Sequence, residues 1–330
     1  MRSSEQPTAV DEAVAAVPRV SVVMPLYNAE QHVEAAIRSA LASDLQNLEV
    51  IVVDDGSSDT SLAIARSIPD PRLIVITQAP SGGPSRPRNV GIARARAPYV
   101  ALLDADDLLK PHKLSSALAA LDQHPQAGIA FGDYERIDPA GRLLAPATLD
   151  AYPQLQSLPA HRFGSGWRSI PQPEFARGLV YENFIGTSGA VLRRSALQQV
   201  GLFDESLNYS EDRDLWFRLA HICDALYEET VGHSYRIAAG SLTLRPGSQQ
   251  ARQRITVLRR ARARWSSAAE LRQIDRLVAE NLAGIAWHQR SSGRRAAAIV
   301  TFTRAFLTSP SLRWVRGAAG SLLPNSAPRN

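Results

Sequence analysis

The chain is poor in cysteine and has no long apolar run. Cys223 is the only cysteine in 330 residues, which excludes an internal disulfide and a cysteine-based metal centre and fits a reducing compartment. No stretch approaches the roughly 20 apolar residues that a membrane-spanning helix needs. Residues 1–17 carry three acids and no continuous apolar segment, which argues against a signal peptide. These absences predict a cytoplasmic protein that is soluble or peripheral on the inner face of the cell membrane.

Basic residues are in modest excess, and the excess is local. The formal net charge is +5, and the basic residues concentrate after residue 250, so the pattern predicts a charged surface region and no nucleic-acid partner. Between 252 and 264 the chain has no acid and six arginines: Arg252, Arg254, Arg259, Arg260, Arg262 and Arg264. Two interpretations stay open, a solvated helix face and a surface that docks on anionic lipid.

Short apolar runs alternate with helix-like stretches in the first 135 residues. The β-prone runs are 19–28, 48–57, 72–78, 99–107 and 128–134. The predicted helices are 29–42, 58–67, 85–96 and a segment that begins after Pro111. This alternation predicts an α/β fold with a mostly parallel central sheet flanked by helices. Ligands of such sheets bind at the carboxyl ends of the strands.

The remaining segments are less regular. Residues 1–18 are predicted to be a disordered N-terminal segment, and residues 139–180, rich in Pro, Gly and Ser, a long loop excursion of the kind that covers an active site. Residues 183–222 are predicted to hold a strand entering a helix and then a second helix. Residues 250–308 are predicted to be helical, with an apolar stripe formed by Leu271, Ile274, Leu277 and Val278. The tail from Pro310 is ambiguous.

Asp104 and Asp106 directly follow an apolar strand. Residues two apart point to the same side while the chain stays extended. Converging carboxylates repel each other unless a cation or a proton lies between them. A hard divalent ion such as Mn²⁺ or Mg²⁺ prefers oxygen ligands and shares them with a diphosphate. Helix capping and turn formation before Pro111 explain the same residues and remain an alternative.

Two other acidic clusters stand at element ends. Asp54 and Asp55 end the second strand, where a carboxylate can accept a hydrogen bond from the imide of uracil or thymine, while Asp59 is better explained as a helix cap. The third cluster, 210–214, opens a helix, where the macrodipole favours acids. That effect explains one or two of its three acids. It does not explain a run of acids placed beside Trp216 and Arg218, and the general base of a sugar transfer would have to be a carboxylate or an imidazole.

In order and separation, these segments resemble the family-2 glycosyltransferases of the GT-A fold. The motifs that carry the resemblance are SVVMPLYNAE, EVIVVDDGSSDTS, PRNVG, YVALLDADD and the long segment from GTSGAVLRR to SEDRDLWFRLA. Each is weak alone, but five in the right order are specific. One departure is Pro87, which stands where the family carries Ala.

The resemblance covers roughly 19–245 and implies the domain organisation. It implies a GT-A-type domain over 19–245, divided into a nucleotide-sugar-binding half, 19–135, and an acceptor-side half, 136–245. Residues 246–330 would form a helical C-terminal extension.

The resemblance also assigns the site residue by residue. The donor-binding residues would be Pro25, Tyr27, Asn28, Asp54, Asp55, Arg88, Asn89, Asp104 and Ala105. Asp104 and Asp106 would hold Mn²⁺ or Mg²⁺, and Asp212 would be the general base with Glu211 beside it. His233 is a candidate third ligand, because the family often carries a histidine after a Tyr-Arg pair and none follows Tyr235-Arg236 here.

The implied reaction is an inverting transfer from a UDP-, dTDP- or GDP-sugar to a carbohydrate or lipid-linked acceptor. Asp212 would deprotonate an acceptor hydroxyl, which attacks the anomeric carbon opposite the departing nucleoside diphosphate. The Gln-x-x-Arg-Trp motif of processive synthases is incomplete at 262–265, which favours addition of a single sugar. The expected setting is the biosynthesis of cell-surface polysaccharide, glycolipid or glycoconjugate.

Two alternatives are weighed against this interpretation. A sugar nucleotidyltransferase also pairs acids with an α/β core, but it would carry a Gly-rich, basic first loop that PLYNAE lacks. A degenerate nucleotide-sugar-binding protein would have no need of a base, so the presence of Asp212 argues against it.

Overall fold

The computed structural model of the protein describes residues 17–237 and 248–322. The predicted disordered segment, 1–18, therefore lies almost wholly outside the described residues.

The first half of the sheet is parallel. Its strands are β1 (Val20–Leu26), β2 (Leu48–Asp54), β3 (Leu73–Thr77) and β4 (Tyr99–Leu102), in the order β3-β2-β1-β4. Three helices connect them, α1 (Val33–Leu41), α2 (Ser61–Ser67) and α3 (Ser85–Arg94). β1, β2 and β4 are mostly apolar and are buried along almost their whole length, because helices cover both faces of a parallel sheet. The parallel register places the ends of β1 and β2 side by side, with Leu26 opposite Asp54.

The second half of the sheet is mixed, and the order continues from β4 as β10-β6-β11-β9-β8. Its strands are β5 (Leu108–Leu109), β6 (Ala127–Ile137), β7 (Leu143–Ala145), β8 (His161–Phe163), β9 (Trp167–Ile170), β10 (Val191–Arg193) and β11 (Asp224–Arg236). β10 runs antiparallel to both β4 and β6, while β6 and β11 are parallel. The helices of this half are α4 (Lys113–Gln123), α5 (Pro153–Ser157), α6 (Gln172–Tyr181), α7 (Arg194–Val200) and α8 (Glu211–Leu219).

The prediction of a long loop over 139–180 is wrong. The segment contains β7, a 3-10 turn at Leu149–Ala151, and then α5, β8, β9 and most of α6. Most of these elements are too short to show periodicity, and tertiary contacts hold them. The buried guanidinium of Arg168 donates hydrogen bonds to the carbonyls of Leu155 and Leu158 and to the side chain of Gln156. β9 pairs along β11 and so belongs to the sheet.

Four helices follow the sheet: α9 (Ser248–Arg262), α10 (Ala268–Ser291), α11 (Arg295–Thr308) and α12 (Leu312–Gly320). The predicted stripe on 271–278 is confirmed for Ile274 and Val278, which join the main core together with Leu258 of α9. The ambiguous tail after Pro310 forms α12. Across the described ranges, no helix is long and apolar enough to cross a bilayer. The α/β fold with a C-terminal helical part is confirmed.

Candidate active site

Asp54 and Asp55 end β2 at the carboxyl edge of the sheet, and both are buried. The Asp55 carboxylate accepts hydrogen bonds from Gln78 Nε2 (2.6 Å), from the Ser81 N–H and from Ser81 Oγ (2.9 Å). The Asp54 carboxylate accepts the N–H of Ser57 at 3.3 Å. The Ser81 N–H also lies 3.1 Å from Asp55 Oδ2, so both carboxylate oxygens are engaged by the segment after β3.

The loop after β1 is tied to the turn after β2. The Asp55 N–H donates to the Leu26 carbonyl (2.8 Å), and Asn28 Oδ1 accepts the N–H of Ser58 (2.8 Å). Asn28 has a φ of +48°, a conformation that asparagine tolerates better than most residues. Pro25 lies within β1, and the next loop residue, Tyr27, is 60% exposed. Tyr27 is therefore not a core aromatic, and its ring is free to meet a ligand.

Gly56 is required by the same turn. Its φ is +76°, and a Cβ there would lie 2.5 Å from Pro80 Cγ. A side chain at this position would push apart the two loops that Asp55 holds together.

Arg88 on α3 joins two acidic clusters that are distant in sequence. Its buried guanidinium donates from Nη2 to Asp104 Oδ1 (2.7 Å) and from Nη1 to Glu211 Oε1 (2.8 Å). Burial alone would lower the pKa of Arg88, but the charges of Asp104 and Glu211 outweigh it and raise the pKa. Planar guanidinium groups are suited to such double pairing. The end of β4 and the start of α8 are thus held at one place.

Asp104, Ala105 and Asp106 follow β4, as the sequence predicts. The Asp104 N–H donates to Ser188 Oγ (3.1 Å), and Ala105 is buried. Burial, and then the charge of Asp104, raises the pKa of Asp106 to about 6. Two hard oxygen ligands that repel each other in this way fit a divalent cation, which would relieve the repulsion.

The hydrogen bonds of the Asp107 carboxylate have a structural role. It is buried, and its carboxylate accepts Ser188 Oγ (2.5 Å) and the Arg236 N–H (2.8 Å). It therefore joins the acidic turn to β11 and to the segment before β10. Arg236 adds a hydrogen bond from Nε to the carbonyl of Asp106.

Glu211 and Asp212 begin α8, directly after Ser210. Ser210 has a φ of +61°, which is uncommon for a residue other than glycine, so the backbone is unusual where these acids begin. The Ser210 side chain makes no helix cap. Asp212 is partly buried, and its Oδ1 accepts the N–H of Arg213 (2.7 Å). Burial, followed by the charge of Glu211, raises the pKa of Asp212 to about 6. A carboxyl with such a pKa is a stronger base than an ordinary aspartate and is still ionised at neutral pH.

Asp214, the third acid of this cluster, is engaged elsewhere. It accepts Arg218 Nε at 3.0 Å and lies 3.6 Å from Arg260 Nη1. It also lines a cavity of about 630 Å³ between α8 and α9, together with Asp204 and Arg264. None of the predicted site residues lines this cavity, and its acids are already paired with arginines. We therefore assign Asp214 a structural role.

Asn89 anchors a loop instead of pointing at the acidic clusters. Its Oδ1 accepts the N–H of Phe203 (3.0 Å), and its Nδ2 donates to the Phe203 carbonyl (2.9 Å) and to Glu205 (3.0 Å). The Phe203 ring in turn lies 5.3 Å from the guanidinium of Arg88. Asn89 therefore supports the site through the loop that packs on Arg88.

His233 lies in β11 and is buried. Its ring stacks on Tyr134, with the centroids 5.0 Å apart, and burial lowers its pKa to about 3, with a smaller contribution from Lys113. Among the residues that the structure describes, no group of three or more His, Cys, Asp or Glu side chains is arranged as a metal site. The assignment of His233 as a third ligand stays a prediction.

Sequence reasoning missed four residues that shape the site: Gln78 and Ser81 on Asp55, and Ser188 and Arg236 on the acidic turn after β4. Ser188 lies within a motif that carried the resemblance, so a signal existed for it. Gln78 and Ser81 follow β3 with no pattern of their own.

Comparison with known proteins identifies the family of the chain. Residues 21–201 match the family described as glycosyl transferase family 2. The succinoglycan biosynthesis protein ExoO of Rhizobium meliloti (strain 1021) is 32% identical over 322 residues, which are 96% of this chain and 82% of that protein.

Two solved structures share the fold. S. aureus TarS 1-349 in complex with UDP-GlcNAc matches with a TM-score of 0.61 and 20% identity, covering 88% of this chain and 82% of that one. The mannosyltransferase PcManGT from Pyrobaculum calidifontis, in complex with GDP-Man and Mn2+, matches with a TM-score of 0.59 and 19% identity, covering 93% and 81%. On the family match and the similarity to ExoO, the chain belongs to glycosyl transferase family 2.

Proposed function

We propose that the protein transfers one sugar, with inversion, from a nucleoside diphosphate sugar to an acceptor hydroxyl, in a divalent-metal-dependent reaction. The observation that carries the proposal is the double ion pair of Arg88. It brings the acidic turn after β4 and the carboxylates that begin α8 to one edge of the sheet. A transfer reaction needs an activated donor and a base at one place. The acidic turn after β4 would bind the donor, and a carboxylate at the start of α8 would be the base.

The donor would lie across the carboxyl ends of β1, β2 and β4. The Asp55 carboxylate, whose two oxygens share the Ser81 N–H, would give up part of that contact to accept the imide N–H of a uracil or thymine base, and the exposed ring of Tyr27 would stack on that base. Pro25, Asn28 and Asp54 would keep the base pocket in shape, while Arg88 and Asn89 support its other side. Ala105, small and buried, leaves room for the donor beside Asp104.

Asp104 and Asp106 would hold Mn²⁺ or Mg²⁺, whose bound charge stabilises a departing nucleoside diphosphate. Their oxygen ligands and mutual repulsion, described above, support this assignment. PcManGT, a structural neighbour, was determined in complex with Mn2+ and GDP-Man.

Asp212 would act as the general base. Its carboxylate accepts a backbone N–H through Oδ1, so Oδ2 is the atom available to accept the proton of the acceptor hydroxyl. The nearby charge of Glu211, which favours the protonated form of Asp212, strengthens it as a base. Glu211 itself is held by Arg88 and shapes the acceptor side.

The acceptor would be a carbohydrate or a lipid-linked glycan of cell-surface polysaccharide, glycolipid or glycoconjugate biosynthesis. The relative ExoO, named for succinoglycan biosynthesis, supports a polysaccharide role. We place the enzyme in the cytoplasm, peripheral on the inner face of the cell membrane.

The test begins with thermal shift of the full chain against UDP-, dTDP- and GDP-sugars with Mn²⁺, and the donor that stabilises it is then used in a transfer assay. We expect donor-dependent transfer that Asp212→Asn lowers and Asp44→Asn leaves unchanged. Asp44 is an exposed carboxylate just before β2, at the opposite edge of the sheet. Retention of the anomeric configuration in the product would overturn the inverting mechanism. Transfer that survives Asp212→Asn would overturn the base assignment.

A further inference from the structure

Exposed large apolar side chains concentrate at the C-terminal end of the protein. Of the twelve found among the described residues, seven lie between 287 and 322. The most exposed of these are Leu307 (76%), Leu312 (72%) and Leu322 (72%). Single exposed apolar residues are ordinary, but a concentration of them indicates a binding surface.

The exposed apolar residues form stripes on two helices. On α11, Val300 and Leu307 are seven residues apart, two helical turns, and so share a face. On α12, Leu312 and Val315 are three apart and lie opposite Gly317, the buried residue of that helix. We call the exposed faces of α11 and α12 the C-terminal surface.

The inward faces of the same helices are fully used. Phe302 of α11 packs among Ala283, Ala286 and Ala298, with Trp314 and Ala318 beside them. A Cβ on Gly317 would lie 2.6 Å from the ring of Phe302, so α12 sits directly on that ring. The apolar stripes on the other side are thus not required for this packing.

The charge of the C-terminal surface has one sign. From residue 281 to the end of the sequence there is no acid, and the arginines on or beside α11 and α12 are Arg294, Arg295, Arg304, Arg313 and Arg316. Within 17–237 and 248–322, none of these five arginines takes part in an ion pair. On α12, Arg313 and Arg316 follow Leu312 and Val315 directly.

The predicted lipid-docking stretch, 252–264, has a different environment. Arg260 pairs with Asp204 at 2.6 Å and Arg262 with Asp275 at 2.8 Å. These ion pairs compensate the charge of two of the six arginines in the stretch. The large apolar residues of α9, Ile255, Val257 and Leu258, face inward. This stretch therefore offers charge without an apolar face.

We infer that the C-terminal surface docks on an anionic phospholipid bilayer, with Leu307 and Leu312, which flank the short turn between α11 and α12, in the interface and the arginines at the headgroups. Amphipathic helices with cationic flanks bind anionic bilayers through two contributions, the burial of apolar side chains and the attraction of the cations to the headgroups. A second copy of the chain is disfavoured as the occupant, because a two-fold contact would place this acid-free, arginine-rich face against itself. This surface would explain how the enzyme reaches a membrane-borne acceptor. That role rests on the proposed function, whereas the binding to lipid does not.

The experiment is co-sedimentation of the full chain with vesicles of phosphatidylcholine, with and without phosphatidylglycerol. We expect binding to the anionic vesicles alone, weakened by salt. The double variant Leu307→Gln/Leu312→Gln should lower the partition coefficient about tenfold or more, because both side chains leave water on binding. The matched control is Leu143→Gln/Leu144→Gln on β7, where the leucines are 57% and 56% exposed, and it should bind as the wild type does.

A second pair of variants separates the two basic regions. Arg313→Gln/Arg316→Gln should weaken binding to anionic vesicles on the order of tenfold or more, and Arg252→Gln/Arg254→Gln on α9 should weaken it less. Sedimentation velocity without lipid should show no self-association that depends on Leu307 and Leu312.

Three results from the vesicle, leucine-variant and self-association measurements would overturn the docking surface. They are equal sedimentation with both vesicle types or with neither, equal loss in the two leucine variants, and a dimer that Leu307→Gln/Leu312→Gln dissociates. A larger loss from the α9 arginines would move the contact to 252–264 and overturn it as well. Wild-type protein that binds anionic vesicles through this surface yet transfers no sugar would support the surface and refute the proposed function.

Discussion

The carboxyl edge of the sheet and the C-terminal surface differ in whether their charged side chains are paired. At the sheet edge, Arg88 lies between two carboxylates that come from segments 107 residues apart in the sequence, Asp104 and Glu211. On α12, Arg313 and Arg316 are exposed and lie among exposed apolar side chains. Charges that are paired inside the protein specify a geometry, whereas charges left unpaired beside apolar groups indicate a partner outside it. The variants below probe that difference, from the largest expected effect to the smallest.

Replacing Asp106 tests the cation assigned to the sheet edge. We expect Asp106→Ala to abolish transfer and to remove the Mn²⁺-dependent thermal stabilisation by nucleoside diphosphate, because one of two carboxylate ligands is lost. The measurements are the transfer assay and thermal shift with and without Mn²⁺. Asp44→Ala serves as the control. Mn²⁺-dependent stabilisation that is unchanged in Asp106→Ala would rule out this metal site.

Replacing Asp212 tests the base. Asp212→Asn should lower turnover by roughly 10²–10⁴-fold while nucleotide-sugar affinity stays near native, because the amide keeps the shape but cannot accept the proton. Glu211→Gln should be milder. The same Asp212 variant should raise the free energy of unfolding at pH 7 by on the order of 3 kcal/mol, since the pKa raised from 3.8 to about 6 means that the folded protein disfavours the charged form. That gain should fall away as the pH drops from about 6 through 3.8, and it should be gone below about pH 3, where Asp212 is protonated in both states.

Replacing Arg88 compares a buried pair with an exposed one. Arg88→Met leaves Glu211 buried without its cation, so the free energy of unfolding should fall by about 3–5 kcal/mol. The matched control is Arg38→Met, which breaks the pair with Glu34, where both side chains are more than half exposed, and should cost less than about 1 kcal/mol. Urea unfolding of the two variants measures both values. Equal losses would mean that the Arg88 pairs do not hold the site together.

The pH dependence of transfer follows from the raised pKa of Asp212. The base is active when deprotonated, so kcat/KM should be level above about pH 7, half-maximal near pH 6, and fall about tenfold per unit at lower pH. A rate profile from pH 4.5 to 8 with saturating metal provides the test. A profile that stays level down to pH 4.5 would place the base at a group with an ordinary carboxyl pKa.

The smallest effect is expected for stability at the C-terminal surface. Leu307→Gln and Leu312→Gln should each change the free energy of unfolding by less than about 0.5 kcal/mol, because both side chains are already in water. By contrast, Phe302→Ala on the inward face should cost about 3–5 kcal/mol. A large loss in either leucine variant would show that these residues serve packing and not docking.

Much of the parallel half of the fold could be predicted from the sequence. The strands that became β1 to β4, and the helices between them, show up as local apolar runs and periodicity, because buried parallel strands are continuously apolar. The region 139–180 could not be predicted in this way. Its elements are short, and β9 pairs with β11, which lies nearly 60 residues further along the chain.

The chain by itself determined which chemistry is available: the acids at the ends of β2 and β4, the acids that open α8, and the absence of acids after residue 280. Those features are local, and residue type together with strand or helix position suffices to find them. Only the tertiary structure decided how they are used. Arg88 unites two acidic clusters and Asn89 turns away to anchor a loop. Arg260 is paired with Asp204, whereas Arg313 and Arg316 form no ion pair with any residue that the structure describes. The reason is physical: an ion pair or a buried contact depends on distances in space, and these follow from the packing of segments far apart in the sequence.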